Sequence, residues 1–170
     1  MATVTAGTIN RDWIQAEFAK GIDAEEELST EAKGRSDSPP DPSLSVLYHE
    51  IAVADAKHRD VVEAIATRYG HTPTKNGGGI GEALSRLKDK VASMGSSPVA
   101  LIGHDLGLKA NAIHWYTAWI STFKALGDAP SAGELETVLK EELTHRDALQ
   151  QALNRLVERG ARGETDTPTA

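Results

Sequence analysis

The 170-residue chain has no cysteine. Disulfides, zinc–thiolate sites and iron–sulfur clusters are therefore excluded, which leaves His, Asp and Glu as the side chains able to hold a metal. Basic residues are in deficit: 18 Lys and Arg against 25 Asp and Glu give a formal net charge of -7. Nucleic-acid binding and electrostatic membrane anchoring both need clustered positive charge, so neither is expected. Long apolar runs are lacking as well. The longest apolar region, Ala110 to Leu126, is broken by Asn111, His114, Thr117, Ser121 and Lys124, well short of the ~20 residues of a membrane span. Met1 to Asn10 has neither a basic start nor an apolar run, so no signal peptide is expected, and the cytoplasm is the expected compartment. Strand patterns are nearly absent. The one candidate, Ser97 to Ile102, runs straight into helical periodicity.

What is present is helix. The length suits one domain with a full core, and turn signals divide it into four long helical segments. The first runs roughly from Thr8 to Ala32, capped by Thr8 or Asn10 and ended by Gly34 and the Ser36–Pro42 stretch with its three prolines. The second runs from Pro42 or Ser43 to Tyr69 and stops at Gly70, followed by Pro73. Lys75 to Gly79 is glycine-rich, but no strand precedes it and no Gly-Lys-Ser/Thr ending follows, so it reads as a connector. A short extra helix is expected over Ile80–Met94, with Ile80, Leu84, Leu87 and Val91 on one face. The third long helix spans Pro98 to Leu126, with Pro98 in the first turn. The fourth spans Ser131 to Arg159; Ser131 with Glu134 reads as a capping box and Gly160 as the stop. Residues 8–160 thus form the helical domain, flanked by tails at 1–7 and 161–170 that are expected to be disordered.

The informative residues are the polar ones inside the apolar stripes. On the second helix Leu44, Tyr48, Ile51, Asp55, His58, Val62 and Ile65 alternate spacings of four and three and share one face. Asp55 and His58 stand at its centre. On the fourth helix the stripe is Leu135, Val138, Glu142, His145, Leu149, Ala152 and Leu156, again with an acid followed three residues later by a histidine. An unpaired buried charge is very costly, and a metal removes that cost by neutralising the carboxylates and using neutral imidazole nitrogen. Carboxylate bundles with two iron or manganese ions use this i, i+3 arrangement on two helices and add one Glu from each of the other two. On the first helix, read as Ile14, Glu17, Gly21, Ala24 and Leu28, the candidate is Glu17, with Glu25 second. The third, read as Leu101, Asp105, Leu108, Ala112, Trp115, Trp119 and Thr122, has Ala112 where symmetry asks for a carboxylate. Asp105 lies two turns away, about 10 Å, too far for the same ion.

Other residues have plainer readings. His49 is expected to be half-exposed, His71 lies in a loop, and His104 and His114 are near the core, where either could complete a ligand set. Trp13, Trp115, Tyr116 and Trp119 are read as core, and Glu25 to Glu27 as a solvated face.

The run Asp55-Ala-Lys-His58, the helix ending at Gly70 and the following Thr72-Pro73 resemble the second helix of ferritin-like stress proteins of the YciF type. The small helix near Ile80–Met94, a third helix opening Ala100-Leu101-Ile102 and a last helix entering at Leu139-Lys-Glu-Glu142 fit the same pattern, over roughly Leu44 to Leu156. The resemblance implies a ferritin-like four-helix bundle, a homodimer, a di-iron centre and a stress-linked role. This chain departs from the family at Ala112, where a Glu is expected, and at Asp55, where Glu is commoner. The ligands carried over are Glu17, Asp55, His58, Glu142 and His145, with Glu141 as an outer candidate. The expectation is a protein holding iron, as two ions or one, or manganese, and acting on oxygen, peroxide or iron itself. The alternative is a non-catalytic bundle in which the carboxylate–histidine pairs fix helix register and function lies in oligomerisation or partner binding.

Overall fold

A computed structural model describes residues 11–72 and 97–164. The expected tail at residues 1–7, the part of the expected 161–170 tail beyond Glu164, the Lys75–Gly79 connector and the extra helix expected over Ile80–Met94 lie outside the described residues. The described residues form four helices, α1 (Arg11–Asp37), α2 (Ser45–Arg68), α3 (Pro98–Leu126) and α4 (Ala129–Ala161), with one 3-10 turn over Pro42–Leu44. No strand occurs among the described residues, and no helix among them is long and apolar enough to cross a membrane.

The helix ends follow local chemistry. Asp41 accepts from Ser43 N at 2.9 Å and opens the 3-10 turn ahead of α2. Gly127, with φ 76°, closes α3 in the left-handed conformation that lacks a Cβ penalty. The expected cap of the last helix is corrected: the N-cap is Asp128, not Ser131, and its carboxylate accepts the backbone N–H of Ser131 at 3.1 Å. Ser131 instead donates its hydroxyl to Asp128, and Glu134 pairs with Arg68 rather than closing a capping box. With Asp128 as the N-cap, α4 starts at Ala129, two residues sooner than expected. Its end also differs, since the helix passes through Gly160 to Ala161, and Gly163, with φ 69°, makes the turn.

Contacts at the helix ends fix the topology. Gln15 donates to Tyr69 O at 2.9 Å and Ser29 to Ala52 O at 3.0 Å, so α1 and α2 are antiparallel. Lys124 pairs with Glu136 across the tight α3–α4 turn. Tyr48, near the start of α2, donates to Asp105, near the start of α3, and Tyr69 packs on Phe123 at the far end of both. Helices α2 and α3 therefore run parallel, and the chain leaves one at one end of the bundle and starts the other at the opposite end.

The apolar core is divided in two. One part, around Phe18, Ile65, Tyr116, Phe123 and Leu135, fills the end near the α3–α4 turn. The other, around Leu44, Tyr48, Ile51, Ile102 and Leu149, fills the opposite end. Between them lies a layer of buried ionisable groups: Glu25, Asp55, His58, Lys109 and Glu142.

Candidate metal centre

Each helix contributes to this layer. Helix α2 supplies Asp55 and His58 from a stripe whose seven members, Leu44 to Ile65, are all buried as the spacing predicts. Helix α4 supplies Glu142, which is fully buried. Helix α1 supplies Glu25, and this corrects the reading of Glu17. Glu17 is partly exposed and pairs with Lys20 at 2.7 Å on the surface. The buried positions of α1 include Ile14, Phe18, Gly21, Glu25 and Ala32. Seven residues separate Ile14 from Gly21, so either 17 or 18 completes the face. The ring of Phe18 takes it, stacked on Trp119 with centroids 4.5 Å apart. The same shift by one brings in Glu25.

Helix α3 contributes Lys109, which the sequence reading missed. Its buried positions are Ile102, Asp105, Lys109, Ala112, Tyr116, Trp119, Ile120 and Phe123. Ala112 is in the core as expected, but the face passes through 109 and 116 rather than 108 and 115. Trp115 is therefore corrected from core to surface, at 42% exposed, and Trp13 likewise, at 47%. Tyr48 and Trp119 are buried as expected.

The geometry is compact. Lys109 Nζ donates to Asp55 Oδ1 at 2.6 Å and to Glu142 Oε1 at 2.8 Å. Tyr116 donates its hydroxyl to Glu25 Oε1 at 2.5 Å. His58 Nε2 lies 2.9 Å from Glu141 Oε2. A carboxylate only accepts, so the His58 proton sits on Nε2. Its Nδ1 then faces Glu142 Oε1 at 3.1 Å, Asp55 Oδ1 at 3.7 Å and Glu25 Oε2 at 4.0 Å, out of hydrogen-bond alignment with any of them. Glu25, Asp55, His58 and Glu142 each offer one ligand atom, and these atoms all lie within 4.8 Å of one another. Glu25 Oε2, Asp55 Oδ2, Glu142 Oε2 and His58 Nδ1 are buried and have no hydrogen-bond partner among the described residues.

His145 stands apart from these four. It is half-buried, its Nδ1 also lacks a hydrogen-bond partner among the described residues, and it does not belong to the convergent set. Glu141, the outer candidate, is half-exposed and lies outside the convergent set, where it accepts from His58 Nε2.

Burial and mutual charge set the protonation states. Burial pushes the Glu25 carboxyl up to about 8, with the nearby Asp55 and Glu142 charges adding to the shift. Asp55 is also raised, by burial above all, although Lys109 opposes it. Burial would raise Glu142 too, but its contact with His58 and the Lys109 charge outweigh this, and it is held well below the usual range. His58 is raised: burial disfavours its charge, but Glu142 and Glu141 more than compensate. Lys109 is raised by Asp55 and Glu142 against its burial, so it remains an ammonium. His145 is lowered, by burial and then by the Lys109 charge.

No protein-family model, no curated protein and no solved structure matches this chain. The site must be judged on its own chemistry. Three carboxylates and one imidazole form an oxygen-rich set suited to divalent cations such as Mn, Fe or Zn. With His58 neutral, three carboxylates and Lys109 sum to -2, which one divalent ion offsets.

Proposed function

We propose that this protein is a metal-binding four-helix bundle whose centre takes one divalent transition-metal ion among Glu25, Asp55, His58 and Glu142. The observation that carries this reading is the convergence of four buried ligand atoms, each from a residue with an unpartnered buried oxygen or nitrogen. Buried polar groups are normally hydrogen-bonded, and a cluster of exceptions calls for an ion. Iron or manganese is the proposed occupant. The connectivity, with one long crossing between α2 and α3, supports reading the chain as similar to ferritin-like bundles, including the stress proteins named above. Such an ion, when bound, supplies one-electron chemistry toward oxygen or peroxide, or oxidation of iron itself.

The chain's own residues have definite parts. Glu141 fixes the His58 ring so that Nδ1 faces the carboxylates, the usual role of a hydrogen-bonded outer partner. Tyr116 orients Glu25. Lys109 bridges Asp55 Oδ1 and Glu142 Oε1 and supplies a fixed positive charge between them. That ammonium is why the proposal is one ion and not two. A homodimer remains part of the proposal. Most of the apolar width of α3 is consumed within the bundle, so Trp115 is where two copies would meet.

The Lys109 bridge also favours a second reading. With Glu25 neutral and His58 protonated, Asp55, Glu142, Lys109 and His58 cancel in charge without any metal, leaving a polar layer that fixes helix register. The test is metal content. Protein purified without a His tag, stripped with chelator and reloaded anaerobically with Fe(II) or Mn(II), should retain one equivalent at the centre and melt at a higher temperature. No retained metal and an unchanged melting curve would leave the closed polar layer as the answer.

A further inference from the structure

A second group of ligand-type side chains lies toward the other end of the bundle, and neither reading above uses it. Glu31 on α1 and His104 and Asp105 on α3 each offer one ligand atom within 4.8 Å of the others. Glu31 and Asp105 side chains are each 10% exposed and His104 13%. Glu31 Oε2 is buried without a hydrogen-bond partner among the described residues. It is 3.7 Å from His104 Nε2, too long for a hydrogen bond. The third member is held rigidly: Tyr48 donates to Asp105 Oδ2 at 2.6 Å and Arg35 Nε stands 3.3 Å from the same oxygen. A small cavity borders Glu31, Arg35, Tyr48 and Asp105 on one side and Asp55 and Lys109 on the other. Asp105 precedes Lys109 by one helical turn, ~6 Å along the axis, so the two groups are neighbours but cannot share an ion.

We propose that Glu31, His104 and Asp105 form a second site for one divalent transition-metal ion. Two carboxylates and an imidazole provide three protein ligands and leave positions for water, a set that suits Mn, Fe, Co or Zn. Two negative charges against Arg35 leave room for a dication, and the ion supplies the partner that buried Glu31 Oε2 lacks. The site stands on its own geometry and does not require the centre to be loaded.

Co(II) is the probe, because its visible absorption and binding isotherm both report coordination. The full chain, stripped of metal, is titrated alongside His104→Ala, Glu31→Gln and Glu142→Gln, each checked for helix content. Two equivalents are expected for the wild type. His104→Ala and Glu31→Gln should each lose one, and Glu142→Gln should lose the other. Glu31→Gln keeps the side-chain volume, so it carries the test if His104→Ala fails to fold. A wild type that binds one equivalent, lost in Glu31→Gln and kept in Glu142→Gln, would support this site and remove the proposed centre. Equal stoichiometry in wild type, His104→Ala and Glu31→Gln would overturn the second site, whatever the centre does.

Discussion

Lys109 Nζ stands 2.8 Å from Glu142 Oε1, a buried ammonium against a buried carboxylate of the neighbouring helix. With Asp55 Oδ1 at 2.6 Å, it is the fixed cation of the layer. Removing one partner from a buried ion pair costs roughly 3–5 kcal/mol, because the other charge is left without compensation. Lys109→Met should therefore destabilise the chelator-treated protein by about that much in denaturant unfolding. The same change raises the negative charge facing a bound ion. Adding Mn(II) should then restore more stability to the variant than it adds to the wild type. A variant that Mn(II) does not rescue would mean that Lys109 alone closes the layer.

Glu25 makes the stability of the metal-free protein depend on pH. Its folded pKa of about 8 lies above the ordinary 4.5, so folding favours its protonated form. That contribution is complete below about 4.5 and disappears as pH rises toward 8. Asp55 and His58, both raised, act in the same direction. Glu142, held low, acts in the opposite direction and loses its contribution only as pH falls below its ordinary 4.5. In chelator, unfolding free energy should fall by up to ~4 kcal/mol between pH 5 and 8. Glu25→Gln stays neutral and can still accept from Tyr116, so its curve should be flatter. Metal binding needs the carboxylate, so Mn(II) affinity should rise over the same window. Parallel pH curves for wild type and Glu25→Gln would discard this account.

The second and fourth helices were legible in the sequence because their stripes are unambiguous. Asp55, His58 and Glu142 interrupt otherwise apolar runs and are buried, whereas His145, on the same stripe as Glu142, is only half-buried. The first helix was legible only to within one residue, since both 17 and 18 satisfy a period of 3.6 between Ile14 and Gly21. Glu25 was hidden by its neighbours Glu26 and Glu27, which look like one solvated face. The third helix is apolar on almost every side, so periodicity could not choose between Leu108–Trp115 and Lys109–Tyr116. A lysine is also among the residues least often buried. The available signal was the aromatic and aliphatic series Ile102, Tyr116 and Phe123, which shares its face with Lys109.

The tight passage between α1 and α3 gives a stability test unrelated to metal. A Cβ added at Gly21 would clash with Cη2 of Trp119, which is itself stacked on Phe18. The indole cannot withdraw without disturbing Phe18, so Gly21→Ala should cost roughly 1–3 kcal/mol through overpacking. Gly107, exposed on α3, has nothing among the described residues within 4 Å of the same added atom. Gly107→Ala should gain up to ~1 kcal/mol from helix propensity. Two melting curves that move in opposite directions would match this packing. A neutral Gly21→Ala would mean that α1 and α3 sit further apart than described.

The two histidines of the acid-x-x-His pairs should behave differently. His58 Nδ1 faces three carboxylates and its Nε2 is fixed by Glu141. His145 is outside the convergent set and has its pKa lowered by burial and the Lys109 charge. His58→Ala removes the only nitrogen ligand of the centre and should abolish the Mn(II)-induced rise in melting temperature. His145→Ala should leave most of that rise in place, with an affinity loss below the roughly 10–100-fold that removing a hydrogen-bonded outer partner costs. The mild change for His145 has a physical basis. At neutral pH its ring is uncharged, so its loss leaves Glu142 still held by Lys109 at 2.8 Å. Calorimetric titration of both variants with Mn(II), on chelator-stripped protein, checks the ranking. Equal losses for the two would place His145 among the ligands after all, and would require its ring to turn inward when metal binds.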